Sequence, residues 1–124
     1  MRISRNIDAT PSTGLIGPAP DVARFLMAIL NGGTLNRAQI LSPESISRLI
    51  DSEPLDGWGL GWAVGESDSE RYLEHMGGGP GFATTLRIYP ESGVGIAILA
   101  NGTDFDRQGL ANLLGKVAPS INLQ

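Results

Sequence analysis

Glycine most constrains what this chain can become. Seventeen of its 124 residues are glycine, and they gather at 57–65, 77–81 and 93–95. That is about twice the usual share for a globular domain. Clustered glycine marks sharp turns between strands, or places where backbone comes very close to something else. The stretch EHMGGGPGF, residues 74–82, adds the only histidine in the chain. Either these glycines make a tight turn and His75 is incidental, or the backbone approaches something that the imidazole also touches.

The hydrophobic pattern changes period along the chain. Residues 1–17 show no sustained period and contain Pro11, Gly14 and Gly17, which reads as a connector or tail. From Pro18, the residues Val22, Phe25, Leu26, Ile29 and Leu30 fall at helical spacing until Gly32-Gly33 stops them. Ser42-Pro43-Glu44 opens a second helix, with Ile46, Leu49 and Ile50 in one stripe before Pro54. The period then becomes two. In WGLGWAVG, Trp58, Leu60, Trp62 and Val64 share one face, and Gly59, Gly61, Ala63 and Gly65 the other, where a further layer could sit close. ESDSE is a turn into the short strand RYLEHM. The GGGPG loop follows, then the strand FATTLRIY, a Pro90–Gly93 turn and the strand GVGIAILA. Thr103 with Asp106 fits a capping box, and Phe105, Leu110, Leu113, Leu114 and Val117 form the stripe of a last helix. The expected fold is α+β: an antiparallel meander with flanking helices, one of whose sheet edges needs a partner.

Composition removes several function classes. With nine basic and thirteen acidic residues the net charge is −4, and no basic run tracks phosphates, so nucleic acid is not an expected partner. FLMAIL and GIAILA are too short to span a bilayer, and the arginines near Met1 have no apolar run after them, so no signal peptide is read there. Without cysteine there is no disulfide framework or thiolate site, and one histidine cannot complete a zinc site. No cofactor or metal is expected, and the compartment stays open.

The constellation at His75 fits one use better than another. A phosphate cradle needs its glycines between a strand and a helix N-terminus, whereas HMGGGPG lies between two strands. A strand ending in glycine leaves amides open on one side, and an amide aimed into a cleft stabilises an oxyanion. An imidazole on the same edge orients a substrate or assists proton transfer. The nucleophile is the gap: no serine has a lysine three residues later, no G-x-S-x-G elbow occurs, and the sole lysine is Lys116. A lone histidine is more commonly structural than functional. Trp58 and Trp62 read first as core or half-core residues, and only second as a substrate wall. Tyr72 and Tyr89 read as packing residues, Arg87 as a solvated strand residue, and Asp104 and Asp106 as helix-start charges.

Four blocks in order carry a resemblance: GLIGPAPDVARFLMAILNGG, ILSPESISRLI, GWGLGWAVG and HMGGGPGFATTLRIYPESGVGIAILAN. Together, over about residues 14–117, they resemble the C-terminal part of the serine β-lactamase-like family, which includes class C β-lactamases, DD-peptidases and related esterases. The resemblance implies residues 18–124 as the C-terminal part of such a domain. It also implies hydrolysis of an ester or amide through a serine acyl-enzyme. In the family an S-x-x-K motif supplies the nucleophile and its base, a Y-x-N motif adds a tyrosine, and K-T-G or H-x-G lines the cleft. His75-Met76-Gly77 matches H-x-G, so the resemblance makes His75, Gly77 and Gly78 candidate catalytic positions, with Gly78 as an oxyanion amide. Met76 and Gly79 become candidate substrate-binding positions. Met76 replaces the hydroxyl residue of K-T-G, which disfavours a substrate-carboxylate contact and shifts the reading toward esters.

The S-x-x-K and Y-x-N motifs are absent from these residues and are expected on a segment before residue 1, so this chain alone is expected to be inactive. The expected partners are a small ester or amide when the domain is complete, and that N-terminal part along the open sheet edge. The alternative is a non-catalytic interaction module that pairs through that edge with a partner or with its own copy.

Overall fold

The computed structural model describes residues 15–120; residues 1–14, most of the expected connector, and 121–124 lie outside the described residues. Helix α1 spans Ala19–Leu30 and α2 spans Pro43–Ile50, both where the apolar spacing places them. The Ser42 hydroxyl caps α2 by accepting a hydrogen bond from Ser45 N at 3.1 Å, a contact of about 1 kcal/mol. Gly33, at φ +87°, turns the chain out of α1. Between the helices lies a hairpin too short for any periodic window, β1 (Thr34–Leu35) with β2 (Ala38–Gln39). Asn36 and Arg37 make its turn with left-handed backbone.

The meander is present. β3 (Ala63–Ser67), β4 (Glu70–Gly79), β5 (Phe82–Tyr89) and β6 (Val94–Ala100) form one antiparallel sheet in sequence order. Two expectations about it fail. WGLGWAVG is not one strand: Gly57 (φ +83°), just before it, and Gly61 (φ +78°), within it, put the chain into successive tight turns, and extended pairing begins only at Ala63. Trp62 is therefore buried while Trp58 and Leu60 are about half exposed, so the predicted shared face does not exist. Nor are Gly77, Gly78 and Gly79 a loop. They continue β4 in register with Thr84, Ala83 and Phe82, and the turn is confined to Pro80-Gly81.

Helices cover both faces. On one, Leu26 and Ile29 of α1 and Ile46 of α2 pack with Trp62, Leu73 and Ile88. On the other, α3 (Arg107–Val117) seats Ala111 against Tyr89, Ile96 and Ile98, and a short 3-10 turn (Ala118–Ser120) follows. The cap of α3 is Asp106 itself, whose carboxylate accepts from Gly109 N at 2.8 Å, and not Thr103. The helix stripe read from the sequence is only partly inward: Leu110, Leu113 and Val117 remain exposed. Close backbone approach does occur, at Gly95. A Cβ there would lie 3.2 Å from the Leu26 side chain and 3.4 Å from that of Leu30, so this glycine sets how near α1 lies to β6.

Arg87 is the largest correction. It is fully buried under α3 rather than solvated. The β4–β5 register sets it opposite Glu74. Its Nε donates to Glu74 Oε2 at 2.8 Å, and Nη2 lies 2.6 Å from the same oxygen. Nη1 donates to Tyr89 Oη at 3.1 Å and to Asn112 Oδ1 of α3 at 2.7 Å, while Tyr72 stacks 4.0 Å beneath the guanidinium. Burial on its own would lower the Arg87 pKa; hydrogen bonds to Tyr89 and Glu74, with the charge of Glu74, outweigh it and leave the group above its ordinary value. It therefore stays charged throughout the working pH range.

Glu74→Ala would strand that charge and should lower stability by about 3–5 kcal/mol. The exposed Asp21–Arg24 pair contributes little, so Asp21→Ala should leave the urea midpoint nearly unmoved in the same experiment. Gly95→Val should cost about 1–3 kcal/mol through overpacking against α1, read from the same denaturation curves.

Candidate functional site

β3 covers β4 for only half its length. Its pairing with β3 runs from Glu70 to Glu74 and ends at the Ala63–Glu74 pair, whereas its pairing with β5 runs from Leu73 to Gly79. The second half, His75–Gly79, thus has one edge with no strand beside it among the described residues. Backbone direction along that edge follows from two hydrogen bonds. Val64 N donates to Gly57 O, and Gly59 N donates to Trp62 O, both at 2.8 Å. These put Val64 N and Trp62 O on the edge of β3 remote from β4, so the Ala63 amide and carbonyl face Glu74. Backbone groups alternate between the two edges of a strand. Those of His75 and Gly77 therefore point to β5, and those of Met76 and Gly78 point to the open edge.

Side chains alternate too, between the two faces. His75 shares the α1 face with Leu73 and is exposed. The rings of Trp58 and Trp62 meet it edge-on, with centroids at 6.3 and 6.4 Å. Trp58 is about half exposed, so its ring is an apolar wall beside the imidazole. Met76 lies on the opposite face, 40% exposed, so it does not stand beside the imidazole. Cross-strand side chains crowd two of the glycines: a Cβ on Gly77 would stand 2.6 Å from Thr84 Oγ1, and one on Gly79 2.7 Å from the Phe82 ring. The fold thus brings His75, Gly77, Gly78 and Gly79 along one strand end, with Met76 turned away.

The sequence reading missed Arg107. From the start of α3 its Nη1 donates to Gly77 O at 2.8 Å. Nothing local to Arg107 in sequence signals that contact, because thirty residues separate the two groups. Two shallow hollows of about 270 Å3 lie away from this edge, one beside Asp68 and Lys116, the other beside Asp51 and Arg71. Among the described residues no helix is long and apolar enough to cross a membrane.

Known proteins give this arrangement its context. A family model described as Beta-lactamase matches residues 2–118. Penicillin-binding protein 4 of Amycolatopsis lactamdurans is 32% identical over 130 residues, covering 91% of this chain and 34% of that relative. The chain therefore spans about a third of that relative's length. The match over nearly all of the chain, on an α+β fold with an antiparallel sheet, places it in the serine β-lactamase and penicillin-binding protein family.

Proposed function

We propose that this chain is the C-terminal portion of a serine hydrolase that cleaves a carboxylic ester or amide through an acyl-enzyme. The observation that carries the reading is the open edge of β4, where the Gly78 amide points outward one strand end away from an exposed imidazole. In the reaction a serine Oγ attacks the substrate carbonyl carbon, and the carbonyl oxygen becomes an oxyanion that accepts a hydrogen bond from Gly78 N. The alcohol or amine departs with a proton, and water then attacks the acyl-serine and releases the acid. His75 lines the cleft as a polar group that orients the substrate or assists proton transfer. In this reading the serine and its lysine base come from a part of the domain outside these 124 residues, and the coverage of only 34% of the relative's length supports it. The half-exposed Trp58 ring beside His75 supports an uncharged ester over a substrate with a free carboxylate.

A second reading has its own observation. The outer edge of β6 is unpaired among the described residues, and Leu99, Phe105, Leu110, Leu113 and Val117 near it are exposed. That surface suits the rest of the domain, and it also suits a second copy. Sedimentation of the purified chain separates them: a concentration-dependent dimer favours an interaction module.

The hydrolase reading is tested by intact mass after exposure to a fluorophosphonate. The longer product of the same reading frame should take up one equivalent, and the 124-residue chain none. A stoichiometric adduct on the short chain, or none on the long one, would sink the reading. In the long product His75→Ala should lower kcat/KM for p-nitrophenyl butyrate by about a hundredfold; an unchanged value removes His75 from the site.

A further inference from the structure

Arg107 approaches the glycine run from the α3 face. Its Nη1 holds Gly77 O at 2.8 Å and lies 3.7 Å from where a Cβ would stand on Gly78. The side chain is part-buried, and among the described residues no carboxylate pairs with it. Its neighbour Asp106 is engaged with Gly109 N. A half-buried cation without a counter-charge is unfavourable unless its donors are well used. The group it reaches here is one particular carbonyl.

That carbonyl belongs to the Gly77–Gly78 peptide. No cis bond occurs among the described residues, so C=O and N–H of this unit point in opposite directions. Arg107 grips the oxygen on one side, and the Gly78 N–H leaves the other side toward the open edge. We propose that Arg107 is a positioning residue for this N–H: it fixes the plane of the peptide and polarises it, so that the amide is a directed and strengthened donor to an oxyanion. Two physical effects support this. A Gly-Gly peptide has the widest backbone freedom of any pair, and the β4–β5 ladder holds this one from a single edge, so a second donor on its oxygen narrows the direction of the N–H. A charged donor on the carbonyl also polarises the unit, which strengthens the hydrogen bond made by its N–H. The catalytic consequence rests on the hydrolase reading, whereas the anchoring of the peptide rests on the geometry alone.

The experiment uses the longer product with Arg107→Ala and Arg107→Lys. Its readouts are the Gly77 carbonyl 13C and Gly78 amide resonances, together with kcat and KM for p-nitrophenyl butyrate. In Arg107→Ala both resonances should move, and kcat should fall about tenfold to a hundredfold, less than the loss of a whole oxyanion donor. KM should stay within about twofold, because Arg107 does not touch the substrate. Arg107→Lys, which keeps one charged donor, should recover part of kcat; it carries the comparison if the alanine variant fails to fold. Unmoved Gly78 resonances overturn the proposal, as does an unchanged kcat in an active enzyme. A rise in KM alone would make Arg107 a substrate contact instead. If the unaltered protein neither reacts with the fluorophosphonate nor turns over the ester, the hydrolase reading and the catalytic role fall together. The resonances then decide the anchoring by themselves.

Discussion

The guanidinium of Arg87 is the point on which sheet and helix agree. It joins β4 through Glu74, its own strand through Tyr89, and α3 through Asn112, all beneath a helix that excludes water. A one-residue slip between β4 and β5 would move Arg87 relative to Glu74 and place side chains on the wrong faces, leaving a charge in an apolar layer. The network therefore specifies register more than it adds stability. Once α3 is seated through Asn112, its first residue, Arg107, arrives over the glycine end of β4. The polar core and the candidate site are thus linked by a single short helix.

Much of this architecture was legible in the chain. The helical stripes of α1 and α2, the meander and the turn at Pro90–Gly93 follow from periods and turn residues that tertiary packing did not override. Two misreadings have physical causes. In WGLGWAVG the alternation of large residues and glycine describes a half-buried strand, and equally a run of turns, because glycine serves both; only the positive φ of Gly57 and Gly61 distinguishes them. Arg87 in LRIY reads as the outward member of an alternating strand. That rule assumes one wet face, and α3 makes both faces dry. A signal was present nonetheless. If Pro80-Gly81 closes the hairpin, Glu74 falls opposite Arg87, and an acid facing a base within apolar strands points to a buried pair.

The sequence named candidates for the site but not their arrangement. His75 and the glycines stand out by composition, and the family resemblance assigns them an order. Which amides face outward depends on where β3 stops, and that is set by a segment whose conformation the sequence left ambiguous. Met76 illustrates the limit: adjacency in sequence placed it beside His75, and strand alternation sends it to the other face. Arg107 was out of reach for the opposite reason, since its role comes from a helix docking thirty residues downstream.

The abrupt end of β3 has a further consequence. Continued backwards in the same register, β3 would set Trp62 opposite His75 and Gly61 opposite Met76, sealing the groove with main-chain hydrogen bonds. The left-handed backbone of Gly61 turns the chain aside before that happens. Whether this sheet has a mouth or a blank wall is thus decided by the torsion of one residue that contributes no chemical group. Relatives built on the same strands could gain or lose an accessible cleft at that residue, with every polar side chain left in place.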